Sequence, residues 1–195
     1  MRWSFLRVME VPMQDWGVIL VTRRMGENIR MQIAARLSAE QEPLTMLLDF
    51  QEVEIMDYSC ADELVTRLAV EINNRLYGDR FLLLANMNEA LCENVFVALK
   101  QRGIAMQHLP IAGAEEAQLI GELRPYLESA LAMLNKSRIL TARDLADAEG
   151  LAINTASNRL TELAKGGLAH RRSESVASGG KQYQYLSILP AEMIS

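Results

Sequence analysis

The sequence predicts a mixed α/β fold in which helices cover a mainly parallel sheet. The first observation is a series of short apolar runs bounded by Gly, Pro or charged residues, at Val18 to Val21, Leu44 to Leu48, Phe81 to Leu84 and Ile104 to Leu109. Such runs are typical of strands buried on both faces. The second observation is that segments with helical apolar spacing lie between these runs. Strands that alternate with helices need crossover connections, and these join parallel strands.

Three intervening segments each have one apolar face. They begin near Gly26, Ser59 and Asn88, and the apolar positions are Ile29, Ile33 and Leu37; Leu64, Leu68 and Ile72; and Leu91, Val95 and Leu99. This spacing places each set on one side of a helix. Asn88 is a candidate N-cap, and Gly103 ends the third helix. Residues 3–11 alternate loosely, which is consistent with a further strand or an edge arm.

The third observation is the stretch from Leu44 to Val65, where the central strand is followed by a turn and a helix start. Ser59 stands at that start and is a candidate N-cap, since its hydroxyl can accept a backbone N–H of the first turn. Asp62 and Glu63 follow in the first turn, where the helix dipole favours acids. We therefore expect a strand, an exposed turn and a capped helix in succession.

This turn lies at the carboxyl end of a predicted parallel strand, which is the edge where ligands and partners meet open α/β sheets. We expect an acidic ledge there that docks a basic partner or the Mg-nucleotide pocket of a kinase. Its residues are Asp49, Asp57, Tyr58, Asp62 and Glu63. The alternative interpretation is that these acids are solvated caps and strand ends, and that Ser59 is a structural cap only.

The pattern L-D-F-x-x-V-x-x-x-D-x-S-x-A-D-E-L within 48–64 resembles the STAS domain of anti-sigma factor antagonists. It is more similar to the STAS-like family of unknown function, whose T-R-x-x-G-x-x-L-R lead-in resembles Thr22 to Arg30. The resemblance covers about residues 18–109. Two positions depart from it: Tyr58 stands where the antagonists often have serine, and Cys60 where the STAS-like pattern is usually aromatic.

The resemblance implies a protein-binding module whose partner is a GHKL-type ATPase or an anti-sigma kinase. It also implies a switch at Ser59, the serine that remains near this helix start. Phosphorylation of Ser59 would bring roughly two negative charges next to the predicted acidic ledge. A docked partner would then be released or captured.

A different pattern begins at Ser137. Thr141 with Asp144 forms an aspartate version of the capping box, Gly150 turns the chain, and a second helix opens at Asn154 or Thr155. Gly166 and the glycine after it end that helix. This is helix-turn-helix spacing, in which the second helix enters the major groove of DNA.

Two further strands are predicted at Leu168 to Arg172 and Gln182 to Ile188, around the glycine tip Ser178-Gly179-Gly180. Residues 137–189 thereby resemble winged-helix domains of bacterial regulators. Asn and Arg side chains bond base edges, and Ser, Thr and cationic side chains bond phosphates. The candidate DNA-binding residues are Asn154, Thr155, Ser157, Asn158, Arg159, Thr161, Arg171, Arg172 and Lys181.

Composition restricts the function classes. Half of the 195 residues are hydrophobic and 23% are charged, as in globular chains. Neither a run long enough to span a bilayer nor a signal-peptide pattern is seen in the sequence, and we expect a cytoplasmic protein. His108 and His170 fall in different predicted domains, Cys60 has no signature of an activated nucleophile, and no phosphate-binding loop is found. We therefore expect no catalytic residues, no metal and no cofactor.

Charge is distributed unevenly. Residues 1–135 carry 12 Lys and Arg against 19 Asp and Glu, a balance of −7, whereas 136–195 carry 8 against 6, a balance of +2. We predict a STAS-like α/β domain at 1–110, a helical linker at 111–136 and a winged helix-turn-helix domain at 137–195. The chain would be a bacterial transcription regulator, and a homodimer because such regulators read paired half-sites. The alternative is a non-enzymatic adaptor whose winged helix binds protein.

Overall fold

The computed structural model describes residues 6–110, 116–175 and 181–191. The chain divides into two compact units. The N-terminal unit contains the described residues up to Glu122 together with 189–191, and the C-terminal unit is Leu123–Ile188. The predicted α/β class with a mostly parallel central sheet is confirmed.

The N-terminal unit is built on a five-stranded sheet in the order β1, β3, β5, β6, β7. Its strands are β1 (Arg7–Pro12), β3 (Leu44–Asp49), β5 (Arg80–Ala85), β6 (Ala105–Leu109) and β7 (Gln118–Gly121). The first four are parallel, and β7 is antiparallel to β6. A separate parallel pair joins β2 (Ile19–Leu20) to β4 (Ile55–Met56).

The crossovers are α1 (Arg23–Ala39), the continuous helix α2 (Tyr58–Ala61) to α3 (Arg67–Asn73), and α4 (Glu89–Gln101). Five residues between α2 and α3, Asp62–Thr66, form a π-helical segment. Strand order runs one way along the sheet, so right-handed crossovers place all three helices on the same face. Their apolar faces and the strand residues Met46, Leu48, Leu82 and Leu84 form the buried core.

Several sequence predictions are confirmed and others are wrong. β3 and β5 are where the apolar runs predict them, and Asn88 caps α4 by accepting the Leu91 N–H at 3.0 Å. The run at Val18 to Val21 forms β2 outside the main sheet, whereas the weaker segment before it supplies β1. The linker at 111–136 is predicted to be helical, but within it 118–121 form the strand β7. The segment is a strand because it forms hydrogen bonds with β6, and the residue pattern of 118–121 alone does not predict that pairing.

The C-terminal unit combines three helices with a three-stranded antiparallel sheet in the order β8, β10, β9. The helices are α5 (Pro125–Ser137), α6 (Ala142–Glu149) and α7 (Ile153–Lys165), and the strands are β8 (Ile139–Thr141), β9 (Ala169–Ser175) and β10 (Lys181–Ser187). The predicted capping box of Thr141 and Asp144 is confirmed, with the Asp144 N–H donating to Thr141 Oγ1 at 3.2 Å. Gly150 ends α6 with φ of 66°. The predicted hairpin strands pair, while its glycine tip lies outside the described residues.

Among the helices of residues 6–110, 116–175 and 181–191, none combines the length and the apolar character needed to cross a bilayer.

Candidate functional site

The helix start near Ser59 is capped by Asp57, which corrects the predicted cap. Asp57 Oδ1 accepts the Cys60 N–H at 2.7 Å and the Ser59 hydroxyl at 2.9 Å. Ser59 itself lies in the first turn of α2 and is half-buried. Sequence reasoning chose the serine because both residue types are good caps and only backbone geometry separates them.

Asp57 also ties α2 to the start of α1. Its Oδ2 accepts the Thr22 N–H at 3.0 Å, and the Thr22 hydroxyl accepts the Met25 N–H at 3.3 Å as the cap of α1. Thr22 has φ of 79°, which is uncommon for a β-branched residue, so these bonds stabilise a strained junction. Burial acts to raise the pKa of Asp57, but the donors from Thr22, Cys60 and Ser59 outweigh it and lower that pKa.

Asp62 and Glu63 are buried, so the predicted acidic ledge is wrong at these two positions. Their side chains are 7% and 2% exposed, because the helix turns them towards α1 and α4. Asp62 pairs with Arg23 at 3.1 Å and with Arg102 at 2.9 Å. An aspartate or glutamate is seldom buried unless paired, and the sequence does not show which arginines lie nearby.

Glu63 lies at the centre of a group of paired arginines and carboxylates. Its carboxylate lies 3.1 Å from Arg23, 3.2 Å from Arg30 and 2.9 Å from Arg67. Arg30 continues to Glu71 at 2.6 Å, and Glu71 accepts the Tyr77 hydroxyl at 2.6 Å. We refer to these residues as the arginine-carboxylate cluster: Arg23, Arg30, Arg67, Arg102, Asp62, Glu63 and Glu71.

The two remaining ledge residues are half-buried and hydrogen-bonded. Asp49 Oδ1 accepts Asn86 Nδ2 at 2.7 Å and the Gln51 N–H at 3.0 Å, at the carboxyl end of β3. The Tyr58 hydroxyl donates to Gln101 Oε1 of α4 at 2.5 Å. Asp49 therefore joins the carboxyl end of β3 to the residue that follows β5, and Tyr58 joins α2 to the last residue of α4.

Sequence reasoning missed an exposed apolar surface on the strands that precede the Asp57–Ser59 helix start in the chain. Ile19 of β2 and Ile55 of β4 are cross-strand partners and are 49% and 51% exposed, and Val18 next to them is exposed as well. Glu52 and Glu54 on the same segment are also exposed. Only the pairing of two two-residue strands brings these side chains together. We call Val18, Ile19 and Ile55 the apolar step.

An open, acidic depression continues from Glu54. It has a volume of about 430 Å³ and is lined by Glu54, Asn88, Glu89, Ala90 and Glu93. Asn88 holds its wall in place, since its Nδ2 donates to the Glu54 carbonyl at 3.1 Å. The surface around the apolar step is therefore negatively charged.

Cys60 and His108 of the N-terminal unit are both buried. Burial, with a smaller effect of Asp57, raises the pKa of the Cys60 thiol to about 12. Burial lowers the pKa of His108, whose Nε2 accepts the Met87 N–H at 3.3 Å. A protonated, enclosed thiol is a poor nucleophile.

In the C-terminal unit, α7 has one buried and one exposed face. Ala156, Leu160 and Leu163 are buried, whereas Asn154, Thr155 and Asn158 are exposed and Ser157 is half-buried. The helix begins at Ile153 with Ala152 as N-cap, one or two residues earlier than predicted. The exposed polar residues thus occupy the amino-terminal half of α7.

Two α7 residues that were predicted to contact DNA bond other residues of the C-terminal unit. Arg159 Nη1 lies 2.6 Å from Glu149 Oε2, and its guanidinium lies 5.0 Å from the Tyr126 ring centroid. Thr161 Oγ1 lies 2.9 Å from the Tyr185 hydroxyl of β10. Both side chains therefore connect α7 to neighbouring elements. They were predicted to face DNA, and the structure instead turns them towards these partners.

Arg171 and Arg172 lie on opposite faces of the hairpin, as adjacent strand residues do. Arg171 is exposed and lies 4.0 Å from the ring centroid of Tyr183, on the face whose Tyr185 contacts α7. Arg172 donates to Gln184 Oε1 at 2.7 Å, and Gln184 in turn bonds Glu174. Lys181 is the first residue of β10, and its side chain lies outside the described part of the chain.

No protein-family model and no curated protein matches the chain.

Two arrangements of side chains are candidates for function. One arrangement is the Asp57–Ser59 helix start with the apolar step that precedes it in the chain. The other is the exposed half of α7 beside Arg171 and Tyr183. Each lies within a single unit of the chain.

Proposed function

We propose that the protein is a bacterial transcription regulator that joins a STAS-like protein-binding module to a DNA-binding winged helix. The observation that carries the proposal is the exposed polar half of α7, with Arg171 and Tyr183 on the hairpin face that contacts the same helix. In a helix-turn-helix the residues at the start of the second helix contact base edges. Asn154, Thr155 and Asn158 occupy those positions.

Arg171 provides the contact to the DNA backbone. It is exposed, and its nearest aromatic neighbour, Tyr183, is 44% exposed. A guanidinium that stacks on a ring keeps its charge and its N–H donors for a phosphate. The hairpin would therefore act as the wing.

The experiment compares Arg171→Ala with Arg172→Ala in the full-length chain. Fluorescence anisotropy would measure affinity for a random-sequence duplex across a salt series. Arg171→Ala should weaken binding roughly fivefold at low salt and reduce the salt slope by about 1, since one phosphate contact is lost. Arg172→Ala is the matched control, because it removes the same charge from the opposite face of the hairpin. Equal effects of both variants would count against the proposed wing contact.

The alternative is an adaptor whose winged helix binds protein, and one observation favours it. Arg159 is paired with Glu149, and Arg172 is bonded through Gln184 to Glu174, so two of the predicted DNA contacts are already engaged. The net charge of the whole chain is −5. Absence of salt-sensitive DNA affinity in the wild-type chain would favour the adaptor.

The N-terminal unit would supply the partner-binding module. The two stretches of the STAS-like resemblance contact each other, because Arg23 and Arg30 pair with Asp62 and Glu63. Gly26 also packs closely on α2: a Cβ there would lie 2.8 Å from the Cys60 carbonyl oxygen. This contact supports the proposal, because the two stretches that resemble the STAS-like family pack against each other within one unit.

The partner surface is the apolar step with its acidic surroundings, which precedes Ser59 in the chain. A regulatory protein such as a GHKL-type ATPase or anti-sigma kinase would present apolar and basic side chains to it. Phosphorylation of Ser59 would remove the hydroxyl donor to Asp57 and bring roughly two negative charges against that carboxylate. The added charge would strengthen attraction to a basic partner and weaken the tie between Asp57 and Thr22. Intact-mass measurement of the chain from its native host, with Ser59→Ala as control, tests for the modification.

A further inference from the structure

The start of α7 exposes an aliphatic side chain among polar ones. Ile153 is 49% exposed in the first turn, next to the exposed Asn154. Among the described residues of 123–188, the large hydrophobic side chains left this exposed are Ile153 and Tyr183. Tyr183 is stacked with Arg171, whereas Ile153 has an aliphatic surface suited to a methyl group on a partner.

Asn154 and Asn158 lie one turn apart on the exposed face of α7. Their Cα atoms are separated by about 6 Å along the helix axis, and base pairs are stacked about 3.4 Å apart. The two amides can therefore address base pairs in the same short segment of a groove. An asparagine amide offers one acceptor and one donor side, which match N6 and N7 of adenine in the major groove.

The cations that would read guanine are not at this end of α7. The helix contains two, Arg159 and Lys165. Arg159 is held by Glu149 at 2.6 Å and its side chain is 20% exposed. Lys165 is exposed but is the last helix residue, about 16 Å along the axis from Asn154. The usual bidentate partner of guanine O6 and N7, an arginine or lysine, is thus missing from the exposed start of α7.

We propose that α7 selects A·T base pairs in the major groove, with Asn154 and Asn158 bonding adenine and Ile153 contacting the 5-methyl group of thymine. The proposal rests on the DNA-binding function proposed above and names the bases that the same surface recognises. Thr155 remains available to either a base or a phosphate.

The test is a selection from a random duplex library by the full-length chain, followed by affinity measurements on modified duplexes. The enriched half-site should contain adjacent or near-adjacent A·T pairs. Replacing its adenines with 7-deazaadenine removes the N7 acceptor and should weaken wild-type binding about tenfold, and Asn154→Ala or Asn158→Ala should reduce that penalty. Replacing thymine with uracil removes the methyl group and should weaken wild-type binding severalfold but leave the affinity of Ile153→Ala unchanged.

The outcomes separate the two proposals. Salt-sensitive DNA binding with enrichment of G·C pairs, or with no base preference, would overturn the A·T selection and leave the DNA-binding function in place. If wild-type affinity is unchanged on both modified duplexes, the A·T selection is likewise overturned and the DNA-binding function stays in place. Complete absence of DNA binding at low salt would overturn both proposals. Circular dichroism of each variant controls for folding.

Discussion

Asp57 shows how one carboxylate can organise two helix starts. It accepts the N–H groups of Thr22 and Cys60 and the hydroxyl of Ser59, so it caps α2 and fixes the entry of α1 together. Ser59 has the smaller structural role, since its hydroxyl donates a single bond to Asp57. A side chain with a small structural role is a suitable position for modification.

Asp57→Ala should therefore destabilise the N-terminal unit far more than Ser59→Ala. We expect a loss of about 2–3 kcal/mol in the free energy of unfolding for Asp57→Ala, and under about 1 kcal/mol for Ser59→Ala. Urea unfolding followed by tryptophan fluorescence reports on this unit, because Trp16 packs against its core and residues 123–188 contain no tryptophan. If Ser59→Ala lowers the free energy of unfolding more than Asp57→Ala does, the serine and not the aspartate is the N-cap.

The same comparison should depend on pH. The folded-state pKa of Asp57 lies below its ordinary value, so the unfolded chain takes up this proton first as the pH falls. The contribution of the carboxylate is complete above the unfolded-state pKa of about 3.9 and is lost as the pH falls through the folded-state value. The stability difference between wild type and Asp57→Ala should shrink over that interval. A difference that stays constant to the most acidic measurable pH would contradict the assignment.

At the scale of elements, the arginine-carboxylate cluster joins α1, the π-helical segment, α3 and α4. Glu63 and Asp62 are adjacent in sequence, and yet both are buried in this cluster. The two acids face α1 and α4, where Arg23, Arg30 and Arg102 meet them. Removing one member of a buried ion pair leaves its partners uncompensated, so the loss exceeds that of a surface pair.

We predict that Glu63→Gln lowers the free energy of unfolding of the N-terminal unit by about 2–4 kcal/mol. Arg23 and Arg67 are half exposed, which keeps the value towards the lower end. Glu122→Gln is the matched control, because its pair with Lys100 is more than half exposed on both sides and should cost about 0.5 kcal/mol. Equal losses in the same urea experiment would show that the cluster contributes no more than a surface pair.

Element prediction succeeded where the signal was local. The apolar runs of β3 and β5, the Asn88 cap and the Thr141–Asp144 capping box are each contained in a few consecutive residues. It failed at β7, and it predicted the strand β2 but not its partner β4, because these short strands are defined by hydrogen bonds to distant strands. The burial of Asp62 and Glu63 was missed for a similar reason, since every arginine that pairs with them except Arg67 lies 33 to 40 residues away along the chain.

For the whole molecule, net charge limits how the proposed DNA binding could occur. The chain carries a net charge of −5, and the excess of cations is confined to its last third. Affinity would therefore come from local contacts such as Arg171 and not from the overall field of the protein. Weak non-specific binding with a shallow salt dependence is the expected behaviour, because only a few phosphates are neutralised.

We predict that the full-length chain is a dimer, because paired half-sites are read by two-fold symmetric winged-helix regulators. Light scattering coupled to size-exclusion chromatography should give twice the 21.9 kDa of one chain at micromolar concentration. The prediction would be contradicted if the measured mass stayed that of a single chain at every concentration, both with and without DNA. A stoichiometry of two chains per selected duplex would agree with it.

The amino-acid sequence by itself determined the α/β class, the strands of the central sheet with apolar runs, and the order of helix, turn, helix and hairpin near the carboxyl terminus. These features depend on periodicity, caps and turns, and such signals act over one or two helical turns. Tertiary structure decided which polar residues are available. It placed Asp57 in the cap, buried Asp62 and Glu63 among arginines, and turned Arg159, Thr161 and Arg172 towards partners within their own unit. The physical reason is that a side chain's availability depends on which distant residues pack beside it, and local spacing does not contain that information.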